Sequence, residues 1–228
     1  MSSTLNIFGF FALAGGVRRS TPRASSSSSA SVTFHCYYST VIQCSSGSAL
    51  PAELRVYSPP GQNPLPNNTI VFLTAKLHLR SALPVLMDAM HLYPFPGDVN
   101  DMDYEDHVPD MPYPLIYGIG TVQSKEETLA DGKSRGFLVS ASERVRDVQA
   151  LSTLQCVFDN TPRWVNVPCP SFNSLIYFFG SALSIRDDGL LSISLTSLQY
   201  NLTGSQPSQP SQSETPIKRR KFNAFASP

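Results

Sequence analysis

Nineteen prolines are spread along 228 residues, and many stand between short runs of apolar residues. Proline has no backbone N–H to donate and holds φ near one value, so helix interiors and central strands reject it. Breaks this frequent shorten the elements and favour strands and turns over long helices. Hydrophobic residues, at 41%, are numerous enough for a core, and charged residues are only 15%, which argues against a chain disordered throughout.

Charge is unevenly placed. The formal net charge is zero, but residues 1–31 hold Arg18, Arg19 and Arg23 with no acid. The end of the chain holds Lys218, Arg219, Arg220 and Lys221 against Glu214. The body, residues 32–212, is left with ten basic and sixteen acidic residues, a net charge of −6. That balance weighs against strong non-specific duplex binding, which needs a dominant positive field, and leaves room for a local basic groove.

Residues 1–31 read as a disordered, Ser-rich leader, with a mitochondrial presequence as the alternative because Arg and Ser occur without acids. The apolar run Ile7–Ala14 precedes its positive charges and is too short to span a bilayer, so neither a secretory signal nor a membrane span is expected. Residues 204–228 are rich in Ser, Pro and Gln and read as a disordered tail. Their basic run Lys218-Arg219-Arg220-Lys221 suits the acidic groove of a nuclear-import receptor, which makes the nucleus the expected location.

Between the tails, Val32–Cys44, Leu54–Tyr57 and Thr69–Leu79 read as strands, rich in aromatic and β-branched residues or alternating in character. Ser81–Met90 reads as a helix, because Leu83, Leu86, Met87 and Met90 share one helical face and Pro84 suits a first turn. Residues 94–114, broken by prolines and acids, form a surface connector. Leu115–Gln123, Gly136–Ser142, Leu154–Phe158 and Trp164–Val167 are further strands, and Arg144–Ala150 is polar and ambiguous. Leu175–Ile185 and Leu190–Tyr200 flank Asp187-Asp188-Gly189 as a hairpin, and a slip in alternation after Leu195 marks a bulge.

The expected organisation is a β-rich lobe over 32–93, the connector over 94–114 and a small β-barrel over 115–203, with a β-sandwich as the alternative. The segment Leu175-Ile176-Tyr177-Phe178-Phe179-Gly180, its turn and the strand after it resemble the last two strands of OB-fold domains of the replication protein A type. That resemblance implies a barrel that binds single-stranded nucleic acid. The blocks Tyr93-Pro94-Phe95-Pro96-Gly97-Asp98, Asp106-His107-Val108-Pro109-Asp110, Tyr117-Gly118-Ile119-Gly120 and Pro162-Arg163-Trp164 resemble an uncharacterised family of mushroom-forming (agaricomycete) fungi. This second resemblance implies a shared fold and brings no function with it.

Single-strand binding needs cations beside stackable rings. Lys133, Arg135, Phe137, Arg144, Arg146, Arg163, Trp164 and Tyr177 are the candidates, with Trp164 and other aromatics as core in the plainer reading. The expected partner is single-stranded DNA or RNA, and the alternative is a protein-interaction or structural module. Catalysis is not expected. No GxSxG, HExxH or GxxxxGK[ST] occurs, and Cys36, Cys44, Cys156 and Cys169 lack zinc-ligand spacing, so neither metal nor cofactor is expected. Asp101, Asp103 and Glu105, with His107 beside them, could hold a divalent cation through hard oxygens, but a loop of alternating acids is ordinarily a solvated connector.

Overall fold

The computed structural model describes residues 3–22, 32–81 and 83–200. Its strands are β1 (Thr4–Ala12), β2 (Ala14–Pro22), β3 (Val32–Gln43), β4 (Ala49–Tyr57), β5 (Ile70–His78), β6 (Val85–Pro94), β7 (Leu115–Val122), β8 (Glu127–Thr128), β9 (Arg135–Val145), β10 (Val148–Phe158), β11 (Leu175–Ile185) and β12 (Leu191–Gln199). Among the described residues the helical content is one 3₁₀ turn, Glu105–His107.

The strand order shows how the sheet closes. β7 pairs β11 on one side and β9 on the other; β9 pairs β10, β10 pairs β12 in parallel, and β12 returns to β11. Five strands thus close on themselves, with the third and fifth parallel. The N-terminal half repeats this order. β1 and β2 are two halves of one long strand broken at Leu13; β1 pairs β5, β2 pairs β3, β3 pairs β4, β4 pairs β6 in parallel, and β6 pairs β5. This five-stranded Greek-key closure is the OB fold, and the chain carries it twice.

The two barrels are joined through their first strands. β1 and β7 pair antiparallel from Thr4↔Ile119 to Phe8↔Leu115, so one local two-fold relates the halves. Gly118 makes the approach possible: a Cβ there would stand 2.3 Å from the Thr4 carbonyl oxygen. One hydrophobic core runs through both halves, from Leu5, Ile7, Leu54 and Leu73 to Phe137, Phe158 and Phe178.

Three expectations are corrected. Residues 4–22 are not a leader but the first strand, and β1 lies between β5 and β7. Leu5, Ile7, Phe11 and Leu13 are buried, so the period-2 alternation of a half-buried strand was present ahead of the arginines and serines. The helix expected at Ser81–Met90 is absent, and β6 occupies its second half. Val85 and Met87 face the core while Leu83 and Met90 are exposed, and the pairing Ala52↔Val85 ties β6 to β4. Apolar residues at 83, 86, 87 and 90 fit a helical face, but pairing with β4 and β5 draws the segment into a strand whose buried positions are Val85 and Met87. Trp164–Val167 is a pair of turns instead of a strand, with Trp164 N–H donating to the Thr161 carbonyl and Val167 N–H to the Trp164 carbonyl.

The ambiguous stretch Arg144–Ala150 is a two-residue hairpin. Arg146 and Asp147 both take positive φ, +54° and +65°, as the tight turn between β9 and β10 requires. The slip in β12 is a bulge: Phe179 pairs Ser197 and Gly180 pairs Leu195, leaving Thr196 as the extra residue.

Candidate nucleic-acid interface

The structure does not bring the eight residues singled out in the C-terminal half onto one surface. Phe137 is fully buried, 5.5 Å from the Phe158 ring, and Trp164 is 7% exposed, 5.1 Å from the same ring. Both rings are core and cannot receive a base. Arg135 is engaged internally: it bridges Glu126 at 2.9 Å, donates to the carbonyls of Trp164 and Val167, and lies 5.1 Å from the Phe158 ring. Lys133 is exposed in the turn before β9, and Arg144 is exposed near the other end of β9, about 30 Å of strand away. Arg163 is exposed with its guanidinium 4.8 Å from the Trp164 ring. Tyr177 is half-buried on β11, away from the others.

Arg146 is a clamp between the barrels. From the β9–β10 turn its side chain reaches Asp88 on β6 at 3.1 Å and Glu53 on β4 at 2.9 Å, and its backbone N–H donates to Asp88 at 2.7 Å. Arg55 completes the network, holding Asp88 at 2.6 Å and Asp147 at 2.7 Å. A basic residue in a tight turn resembles a phosphate contact in sequence; here three carboxylates engage the two arginines.

The best-formed basic and aromatic surface is on the N-terminal barrel, across β2, β3 and β4. Antiparallel register aligns side chains in rows on one face of a sheet. One row is Arg19↔His35↔Tyr57 and the next is Val17↔Tyr37↔Arg55. These residues alternate with the buried Cys36, Tyr38 and Leu54, so they face outward. Val17 is 47% and Tyr57 60% exposed. The Arg19 guanidinium lies 5.4 Å from the Tyr37 ring and that of Arg146 5.1 Å from it, while His35 sits 6.5 Å from Tyr37 and 6.3 Å from Tyr57. Arg19 makes no ion pair among the described residues, whereas Arg55 and Arg146 are neutralised by Asp88, Asp147 and Glu53.

The surroundings of His35 favour the neutral imidazole. Burial lowers its pKa below the usual imidazole range and the Arg55 charge lowers it further, against opposing pulls from Asp147 and Asp88. Its buried Nδ1 has no hydrogen-bond partner. The equivalent face of the C-terminal barrel offers Arg144↔Gln149, Ser142↔Leu151 and Ser140↔Thr153, with no aromatic ring among these pairs.

Sequence reasoning passed over Arg19, which it placed in a leader, and His35, Tyr37 and Tyr57. The alternation His35, Tyr37, Ser39 against Cys36, Tyr38, Thr40 was the available signal. Arg18, next to Arg19, points to the other side: it donates to Ser58 and the Pro59 carbonyl and covers the Phe34 ring at 4.1 Å.

In the acidic connector, His107 Nδ1 lies 2.6 Å from the Asp103 carbonyl, and no cluster of three or more His, Cys, Asp or Glu able to hold a metal occurs among the described residues. The basic run Lys218–Lys221 lies outside the described residues, as does the rest of the expected tail. No helix among the described residues is long and apolar enough to cross a membrane.

Fold and face together define the class as a tandem OB-barrel protein. No protein-family model and no curated protein matches the chain. Among solved structures it is similar to the wild-type single-stranded DNA binding protein from Thermus aquaticus, with a TM-score of 0.50 and 10% identity over 94% of this chain and 98% of that one. A deletion mutant of the same Thermus aquaticus protein gives a TM-score of 0.47 and 10% identity, over 91% of this chain and 99% of that one. At this identity the likeness concerns the fold alone. The resemblance to fungal proteins therefore rests on the sequence blocks that suggested it.

Proposed function

We propose that this chain is a non-catalytic binder of single-stranded nucleic acid that uses the outward face of β2, β3 and β4 as its principal contact surface. The observation that carries this reading is the pair of registered rows, Arg19–His35–Tyr57 and Val17–Tyr37–Arg55, on an OB barrel. The faces of the second and third barrel strands are where this architecture takes oligonucleotides. Tyr57 offers an accessible ring for a base, and Arg19 offers a charge for a phosphate. Stacking is tolerant of sequence, because every base has a π-face. Lys133, Arg144 and Arg163, exposed on the C-terminal barrel and without ion pairs among the described residues, are secondary phosphate contacts. The Lys218–Lys221 run then supplies an address for nuclear import, which places the activity in the nucleus.

Fluorescence anisotropy of the full chain with labelled oligo-dT and oligo-U tests this reading. Tyr57→Ala is expected to weaken binding roughly 5- to 100-fold, the range of one lost base stack, and Arg19→Glu, which puts an anion where a phosphate is to be bound, is expected to weaken it as well. No binding at low salt by the folded chain, or the parent's affinity retained in both variants, overturns it. Stable capture of a protein partner together with indifference to nucleic acid would instead favour an interaction module, as the net-acidic body allows.

A further inference from the structure

The ion-pair network at the joint stands on the proposed binding face itself. Arg55 closes the row Val17–Tyr37–Arg55, two residues along β4 from Tyr57, and Glu53 is the next outward residue of the same strand. Arg146 reaches over from the C-terminal barrel, with its guanidinium 5.1 Å from the Tyr37 ring. The two barrels thus build this part of the face together.

The three carboxylates of the network are not equivalent. Asp88 is 13% exposed and grips both arginines from within: its oxygens accept from Arg55 Nε at 3.0 Å and Nη2 at 2.6 Å, and from Arg146 Nη1 at 3.1 Å. The remaining terminal nitrogens go to the outer acids. Arg55 Nη1 meets Asp147 at 2.7 Å and Arg146 Nη2 meets Glu53 at 2.9 Å, and these two carboxylates are 71% and 48% exposed. Breaking a pair as buried as that of Asp88 is costly, whereas an exposed pair contributes little because water and salt screen it. Three carboxylates face two guanidinium groups, so the network carries one net negative charge and repels a phosphate until an outer acid moves away.

We propose that Arg55 and Arg146 form a phosphate subsite that Glu53 and Asp147 mask in the free protein, which rests on the reading of the β2–β4 face as the nucleic-acid interface. The two outer carboxylates imitate phosphate. A bound strand puts its phosphates in their place, on the same guanidinium N–H groups, while Asp88 holds both arginines in position. Guanidinium receives phosphate in the planar geometry it uses for carboxylate, so the exchange needs no rebuilding of the site. Arg55 and Tyr57 stand about 6.6 Å apart along β4, so a strand stacked on Tyr57 carries its backbone past the masked arginines. Stacking then supplies the free energy that opens the outer pairs. A duplex, whose bases are already stacked on each other, brings phosphates without that supply, so the mask selects single strands. The exchange also leaves a mark on the salt response. A phosphate that displaces a carboxylate releases its own counterion, but the freed carboxylate takes one up, and the contact adds nothing to the slope.

Fluorescence anisotropy of the full chain with labelled oligo-dT over a salt series tests the proposal on Glu53→Gln and Asp147→Asn, with circular dichroism to confirm folding. Both acids are exposed, and Asn suits the φ of +65° at position 147 as well as Asp does. Each variant is expected to bind roughly 2- to 5-fold more tightly, the strength of one exposed ion pair. Its log–log salt slope is expected to steepen by about 0.7, the share of one phosphate on a single strand. Asp187→Asn removes the same charge in the β11–β12 turn, beside Gln155, which lies about seven residues and ~23 Å along β10 from the Arg146 turn. At that distance it is expected to change neither affinity nor slope. If the parent chain binds, and Glu53→Gln and Asp147→Asn keep its affinity and slope, the proposal is overturned and the β2–β4 interface stands. An equal gain in Asp187→Asn also overturns it, since overall charge then accounts for the effect. A folded parent chain that binds no oligonucleotide at low salt, with both outer variants equally silent, removes the interface and the subsite together.

Discussion

Arg146 and Asp88, 58 positions apart in the chain, meet twice: side chain to side chain at 3.1 Å and backbone N–H to carboxylate at 2.7 Å. The first contact is a charge pair and the second holds a turn residue at φ +54°. One carboxylate on the N-terminal barrel thus fixes both the position and the backbone of a hairpin on the C-terminal barrel.

Removing Asp88 leaves Arg146 and Arg55 facing each other in a site where their side chains are 16% and 12% exposed. Asp88→Ala is expected to destabilise the protein by about 2–4 kcal/mol, below the cost of breaking a fully buried pair because some solvent reaches the site. Urea unfolding checks this, and the double variant Asp88→Ala with Arg146→Ala is expected to recover part of the loss. Additive losses would show that the two residues act independently.

Phe137→Ala removes a fully buried ring and is expected to cost about 3–5 kcal/mol in stability. The folded fraction is expected to bind oligonucleotides as tightly as the parent, since the ring touches only core. A loss of binding larger than the loss of folded protein would contradict the placement. Tyr57→Ala is expected to do the reverse, with stability within about 0.5 kcal/mol of the parent and affinity reduced.

Acid is expected to weaken the joint through Glu143. Burial pushes its carboxyl up, but hydrogen bonds from the Arg144 N–H and the Thr4 hydroxyl, with Lys76, outweigh burial and hold it below the usual carboxylate range. A depressed carboxylate contributes stability that is present above the unfolded pKa and lost as pH falls through the folded one. Stability is therefore expected to fall below about pH 4.5, and Glu143→Gln, less stable at neutral pH, is expected to lose less over that interval. Thermal melts from pH 7 to pH 3 read the difference.

His35 gives binding a pH dependence of opposite use. Its folded pKa is lowered, so protonation is resisted in the free protein and stability declines as pH falls below about 6.5, the unfolded value. A phosphate over Arg19 and His35 favours the protonated ring. Oligonucleotide affinity is expected to rise as pH drops below about 6.5, and His35→Gln is expected to flatten that rise. With Arg19 as the unpaired cation of the face and Lys133, Arg144 and Arg163 as secondary contacts, one to four phosphates are neutralised, and the salt dependence is expected to have a slope of about −1 to −3 in log–log form.

Much of the fold was legible from local pattern, and most of the site was not. The hairpin of β11 and β12 was readable because Asp187-Asp188-Gly189 supplies a turn, with Gly189 at φ +81°, and because the lost alternation marked Thr196 as an extra residue. β1 was misread because its apolar run is followed by arginines and serines that resemble a leader; its burial depends on β5 and β7, more than 50 positions away. β6 was misread because four apolar residues satisfied a helical face, and the pairings with β4 and β5 that make it a strand lie outside the local sequence. The clustered cations of residues 133–163 pointed to an interface, yet Arg135 and Arg146 are spent on internal carbonyls and carboxylates. Adjacency in sequence gave no view of those partners.

The antiparallel crossing of β1 and β7 constrains any bound strand. Two barrels related by a two-fold offer contact tracks of opposite polarity, so a 5′-to-3′ strand that suits one meets the other backwards. One continuous oligonucleotide can satisfy both tracks only by doubling back around the molecule. Short strands would then occupy one barrel at a time, and the second would engage only above a threshold length set by that detour.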